Sequence, residues 1–146
     1  MEIKHASLDD LDHLLPLFEA YRAYYHQSPK VLAKEFLRTR LQAQEAIIFL
    51  ALTPRAQGAG FALVYSSYNS VILRKTYILH DLYVDAAYRG QGLGRRLLTT
   101  VINHAKRHEI AEITLMTEKT NTKAQKLYHA AGFEEDSDYL TYLLRV

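Results

Sequence analysis

His80 and Asp81 stand side by side in a run that is otherwise apolar or aromatic, Tyr77 to Val84. An imidazole with an ordinary pKa of about 6.5 can take a proton from a reacting group near neutral pH. The carboxylate beside it can bind a cationic amine. Polar side chains in such a run need partners or a wet cleft. A hydrogen-bonded histidine, and an aspartate that pins a strand bulge, are therefore the plainer readings. The run leads into Arg89-Gly90-Gln91-Gly92-Leu93-Gly94-Arg95-Arg96. Glycines let successive N–H groups turn inward, and a following helix adds about half a positive charge at its N-terminus. Strand, glycine loop and helix together make an anion site, to which Arg89, Arg95 and Arg96 can add full charges. A glycine turn that only packs helix on sheet has the same local pattern.

Spacing narrows the anion. A dinucleotide loop wants Gly-x-Gly-x-x-Gly, but Gly94 comes early and Arg95 fills the required place. A P-loop ends in Gly-Lys-Ser or Gly-Lys-Thr, whereas Gly94 is followed by Arg95-Arg96. Both also normally follow the first strand of their fold. From Arg89 to Lys126 there are eight basic and three acidic residues, while the whole chain carries only +2. A phosphate-bearing ligand explains this local excess. For Lys106 and Arg107 a solvated helix face suffices.

The elements that must hold these residues follow from periodicity. Glu2 to Ala6 reads as a short strand, and Ser7 as an N-cap with Asp9 and Asp10 in the first turn. Leu11, Leu14, Leu15, Phe18, Tyr21 and Tyr25 recur at helical spacing over Leu8–Tyr25, with Pro16 as a source of a kink or late start. Ser28-Pro29 restarts a helix whose apolar side is Val31, Leu32, Phe36, Leu37 and Leu41. Ala46–Leu52 and Phe61–Tyr65 read as strands, Val71-Ile72-Leu73 begins a third extended stretch, and Tyr77–Val84 follows. Leu93, Leu97, Leu98, Val101, Ile102 and Ala105 share one helix face. Glu112–Met116 alternates as a strand, and Thr122–Ala131 forms a helix closed by Gly132. Phe133-Glu134 and Tyr139–Val146 read as two antiparallel strands. This order predicts one mixed α/β (α+β) domain over residues 1–146. Its mostly antiparallel central sheet would have about six to seven strands and about four flanking helices.

Composition bounds the function. With 146 residues, the chain can bury a real core. It has no cysteine, so a disulfide scaffold, a thiolate metal site and an acyl-cysteine intermediate are all excluded. No apolar run approaches the ~18 residues of a membrane span, and no signal-peptide pattern opens the chain. A cytoplasmic protein is expected. His104 and His108 lie four apart, but without the Glu of a His-Glu-x-x-His helix they read as a solvated face. No metal site is expected.

Arg-x-x-Gly-x-Gly, carried by Arg89, Gly92 and Gly94, is similar to the cofactor signature of the GNAT acetyltransferases. The preceding Leu79-His80-Asp81-Leu82-Tyr83-Val84 looks like that family's fourth strand. Asn121, Ala124, Tyr128 and Gly132-Phe133 fit the second half of its cofactor site. Detailed resemblance covers Tyr77 to Phe133, and the order of elements resembles the family throughout. Tyr21-Arg22-Ala23-Tyr24-Tyr25 is similar to small bacterial members, and Leu-x-Asp-x-x-Val to polyamine acetyltransferases. Those polyamine enzymes have Glu where this chain has His80.

The resemblance implies transfer of an acetyl group from acetyl-CoA to an amine. It assigns backbone groups of Leu82, Tyr83 and Val84 to the pantetheine arm, a ligand added to a strand edge. An N–H near Leu82 or Tyr83 would stabilise the oxyanion. Arg89, Gly90, Gln91, Gly92, Leu93, Gly94 and Arg95 would hold the pyrophosphate, with Asn121 and Ala124 on the opposite wall. Tyr128, at the family's catalytic tyrosine, is the candidate acid for the leaving thiolate, and an aromatic core residue is its alternative role. His80 or Asp81 is the candidate base, with Glu118 a third option that reads more simply as surface.

The acceptor would be a small cationic molecule or a protein amine. Tyr21, Tyr24, Tyr25, Tyr65, Tyr68, Tyr83 and Tyr139 offer an aromatic wall for a cation. The acidic cluster Glu134, Glu135, Asp136 and Asp138 reads as a solvated turn. An acyl-CoA-binding module without activity is the second reading. Neither nucleic acid nor membrane is expected as a partner, and an exposed edge at the C-terminal strands would admit a homodimer.

Overall fold

The sheet begins as a meander. β1 (Glu2–His5), β2 (Ala46–Leu52), β3 (Gly58–Asn69) and β4 (Arg74–Val84) pair as antiparallel neighbours in that order, and β5 (Ile113–Thr114) joins β4 in parallel. The computed structural model describes residues 1–27 and 32–146. Contacts divide it into two compact units, Met1–Met116 and Thr117–Val146. The helices are α1 (Leu11–Tyr24), α2 (Leu32–Gln42), α3 (Leu93–Arg107) and α4 (Thr122–Ala130). No helix among the described residues is long and apolar enough to cross a membrane.

Both faces of the sheet in the first unit are covered. Ile48, Leu50, Phe61 and Leu63 point to one side, where they meet Leu14, Leu17 and Phe18 of α1 and Leu37 of α2. Neighbours in the strands alternate, so Phe49 and Tyr77 point the other way, where both rings meet His104 of α3. Leu93, Leu97, Leu98, Val101 and Ala105 form the buried stripe of α3. Such coverage explains why β2 reads as one unbroken apolar run.

Several boundaries differ from expectation. The first helical turn, Leu8–Asp10, is 3₁₀. Asp10 Oδ2 accepts from the Ser7 N–H at 2.8 Å, while Oδ1 takes Lys4 Nζ at 2.8 Å. Regular α1 starts only after that clasp and runs through Pro16 unbroken. Val71-Ile72-Leu73 is the turn between β3 and β4, not a strand. Asn69 Oδ1 accepts from the N–H of Val71 and Ile72, and this local turn overrides their β-propensity. Ser28, Pro29 and Val31 lie outside the described residues, so their proposed cap and apolar roles are not part of the description.

Among the described residues the sheet has five strands, fewer than the six to seven expected. In the second unit, α4 is followed by no strand over 133–146. Asp136 Oδ1 accepts from the N–H of Asp138, closing a turn on itself. The segment Leu140-Thr141-Tyr142-Leu143-Leu144 also lacks strict alternation, so nothing fixes a strand register there. The sheet therefore ends at β1 and β5, not at the expected C-terminal strands.

Candidate active site

One extra residue shapes the acceptor side. Along β4, Leu79 faces Val64 and Asp81 faces Leu63, so His80 has no partner on β3. It is the inserted residue of a β-bulge. Tyr77 and Leu79 belong to the α3 side, and strict alternation would send Asp81 there too. The bulge reverses the phase, and Asp81 lines a cleft under α1 and α2 instead.

Asp81 is 5% exposed. Its Oδ1 lies 2.9 Å from His80 Nδ1, and the His80 side chain is 55% exposed. The Tyr65 ring stands 5.4 Å from the His80 ring. Burial pushes the Tyr21 phenol well above its usual range, and the Asp81 charge and hydrogen bonding to Asp81 push it further. Burial and then Asp81 also raise Tyr65. Both phenols stay protonated and can only donate toward the carboxylate.

The cleft holds about 340 Å³. α1 supplies Phe18, Tyr21 and Arg22, and α2 supplies Leu32, Ala33 and Phe36, while Tyr65 comes from β3. Arg22 Nη1 lies 3.4 Å from Glu19 Oε2. Of the expected tyrosine wall, Tyr21 and Tyr65 line the cleft, and Tyr83 packs edge-on to Tyr21 at 6.1 Å. Tyr24 and Tyr25 are exposed beside Tyr21, and Tyr68 projects near the β3–β4 turn. Tyr139 belongs to the second unit. Phe18, Phe36 and Leu32 are lining residues that sequence spacing identified only as apolar.

The other end of β4 carries the glycine loop. β5 pairs with β4 only at Tyr77 and Ile78. Beyond them, Leu82, Tyr83 and Val84 run along an edge with no strand partner on that side among the described residues. Arg89 Nε donates to Val84 O at 2.9 Å, and its guanidinium lies 5.7 Å from the Tyr83 ring centroid. The arginine thus ties the loop to the strand end. Gly90 and Gly92 have φ of 75° and 76°, a left-handed backbone that favours glycine. A Cβ at either would meet nothing within 4 Å, so the loop borders open space.

Gly92 caps α3 with no side-chain hydrogen bond, which leaves the first N–H groups of Leu93, Gly94 and Arg95 for a ligand. Leu93 is buried as the anchor of the helix, and Arg95 is exposed. Gln91 Nε2 reaches back to Ala87 O at 3.5 Å. Arg96 is committed elsewhere, with Nη2 donating to Met1 O at 2.8 Å.

In the second unit, Asn121 Oδ1 accepts from the Ala124 N–H at 3.1 Å and caps α4. Its amide N–H₂ group remains as a donor. Tyr128 lies on α4, with its ring 5.9 Å from Phe133 in an edge contact. Glu118 is exposed, and its carbonyl accepts from Gln125.

The expected solvated pair His104/His108 divides. His108 is exposed, but the His104 ring packs on Tyr77 at 5.9 Å, with the Tyr77 hydroxyl 3.2 Å from Nδ1. Helix periodicity placed both residues on one face. It did not show that Tyr77 reaches across to the first of them.

A family model described as the acetyltransferase (GNAT) family matches residues 14–133. The chain is 36% identical over 147 residues to the uncharacterized N-acetyltransferase YhfO of Bacillus subtilis (strain 168), covering 100% of this chain and 98% of that protein. A crystal structure of a probable acetyltransferase matches with a TM-score of 0.95 and 34% identity, covering 100% of this chain and 98% of the other. The aminoglycoside acetyltransferase meta-AAC0020 from an uncultured soil metagenomic sample, in complex with sisomicin, matches at TM-score 0.80 and 22% identity, with 99% and 96% covered. The last likeness is one of fold.

Proposed function

The chain belongs to the acetyltransferase (GNAT) family, and from that premise we propose that it moves an acetyl group directly from acetyl-CoA to a primary amine of a small cationic molecule or a protein. The observation that carries this reading is the pairing of β4 with β5. The strands part after Ile78, so a free strand edge leads straight into an open glycine loop. Leu82, Tyr83 and Val84 offer backbone groups along that edge. Loop N–H groups from Gly90 to Arg95, with the dipole of α3, suit a pyrophosphate. Asn121 and Ala124 are supported as cofactor-binding residues by their place in the family motif. Acetyl-CoA, when bound, supplies the activated acyl group.

The chain's own residues must manage protons. A lysine-like amine has a pKa of about 10.4 and arrives as an ammonium. Asp81 faces that charge across the cleft. His80 Nδ1 is held by Asp81, which leaves Nε2 to accept one ammonium proton, so that the neutral nitrogen can bond to the acetyl carbon. The bond from that carbon to sulfur breaks, the thiolate takes a proton from Tyr128, and the second proton shed by the nitrogen restores the phenol. What supports Tyr128 is its position between Asn121 and Gly132-Phe133.

The test is thiol release from acetyl-CoA with a panel of primary amines. Release in step with amine acetylation is expected. His80→Ala and Asp81→Ala should alter the pH profile of kcat/KM, and a profile unchanged in both removes the pair from proton transfer. Binding of acetyl-CoA with no release on any amine would leave an acyl-CoA-binding module instead.

A further inference from the structure

We propose that the acceptor is a compact primary amine on an apolar body, such as an arylalkylamine, and not a polyamine, amino acid or peptide. This rests on the acetyl-transfer reading above and specifies its substrate. Asp81 is the only carboxylate among the described residues that line the cleft, and it is buried. One ammonium is therefore matched, with Tyr21 and Tyr65 beside it as cation-tolerant rings. Outward from Asp81 the walls turn apolar. Phe18 and Phe36 stack with centroids 6.1 Å apart and planes 4° from parallel. The cleft of about 340 Å³ corresponds to roughly eleven water-sized groups, enough for a ring and a short chain.

A second ammonium on a polyamine would leave water for an apolar wall with no second carboxylate, which is unfavourable. It would also approach the positive charge of Arg22. Such a mismatch discriminates more strongly than a missing methylene does. An amine bearing its own carboxylate would place that anion beside buried Asp81. Arg22 would have to serve that anion as well as Glu19, which already lies 3.4 Å from its Nη1. A peptide lysine has a suitable stem but brings polar backbone to the apolar rim.

The experiment measures kcat/KM on the full chain for phenethylamine, isoamylamine, spermidine, phenylalanine and a short lysine peptide at saturating acetyl-CoA. The expected result is at least a tenfold preference for the two apolar monoamines over each of the others. Spermidine, phenylalanine or the peptide equalling or exceeding them would overturn the inference while leaving acetyl transfer intact. No thiol release on any amine, with acetyl-CoA still bound, would instead overturn the transfer reading beneath it. Phe36→Glu adds a carboxylate to the wall at a partly exposed position. It should raise spermidine relative to phenethylamine at least tenfold, and an unchanged ratio in folded variant counts against the proposal. If that variant does not fold, the ratios of the parent chain decide.

Discussion

Replacing Gly92 separates backbone strain from ligand binding in the loop. Its φ is 76°, and a Cβ built there meets no atom within 4 Å. Gly92→Ala therefore adds no clash inside the protein, only the penalty of a left-handed alanine, about 1–2 kcal/mol. For a chain of this size that lowers Tm by about 3–8 °C. Gly92→Asn relieves much of the strain, because asparagine enters this region more readily, yet it places a larger side chain in the same space. If the loop N–H groups close on a pyrophosphate, both side chains intrude. The dissociation constant for acetyl-CoA should rise at least tenfold, a loss of about 1.4 kcal/mol or more. Asparagine should bind worse than alanine while melting higher. Thermal melts and calorimetric titration with acetyl-CoA read the two effects apart. Affinity within twofold of the parent in both folded variants would refute the assignment of the loop to the cofactor.

Two further outcomes follow from the site and its surroundings. Tyr128→Phe should lower kcat by about 10²–10⁴, the range of a lost general acid, with the acetyl-CoA dissociation constant unchanged; unchanged turnover removes Tyr128 from the mechanism. His104 is held neutral down to about 4, by burial first and then by the charges of His108 and His5. Between about 6.5 and about 4 the unfolded chain binds a proton at this residue that the folded chain does not, so stability declines as pH falls through that window. The full gap would amount to about 3.4 kcal/mol, and solvent screening of the partly open ring reduces it to about 1–2 kcal/mol. Denaturant unfolding of His104→Gln should lose that share of the decline, and curves parallel to the parent's would refute the assignment.

Local patterns made some elements legible and hid others. Ala46–Leu52 was readable to the residue, because a strand covered on both faces is apolar throughout. The stripe Leu93, Leu97, Leu98, Val101 and Ala105 fixed α3 in the same way. Val71-Ile72-Leu73 misled because its β-propensity is local, while the turn is imposed by the Asn69 side chain. At the site, the anomaly of His80 and Asp81 was plain, but the face they occupy was not. That depends on which β3 residue each one meets, and so on the bulge. Phe18 and Phe36 read only as apolar, because helical spacing does not show that the packing of α1 and α2 leaves a cleft between them. Asn121 combined two signals in one residue, since the same side chain that fits the family motif also caps α4.

The bulge at His80 divides β4 into two reading frames. Before it, odd-numbered positions such as Tyr77 and Leu79 serve the α3 core; after it, Asp81 and Tyr83 serve the acceptor wall. The grammar of the strand thus changes parity at one residue. Deleting His80 would remove the bulge yet leave Leu79 opposite Val64 and Asp81 opposite Leu63, so each face of the strand would keep its residues. The inserted residue is therefore dispensable to the packing of both layers. What it adds is an imidazole outside the strand pairing, held beside a buried carboxylate of the cleft.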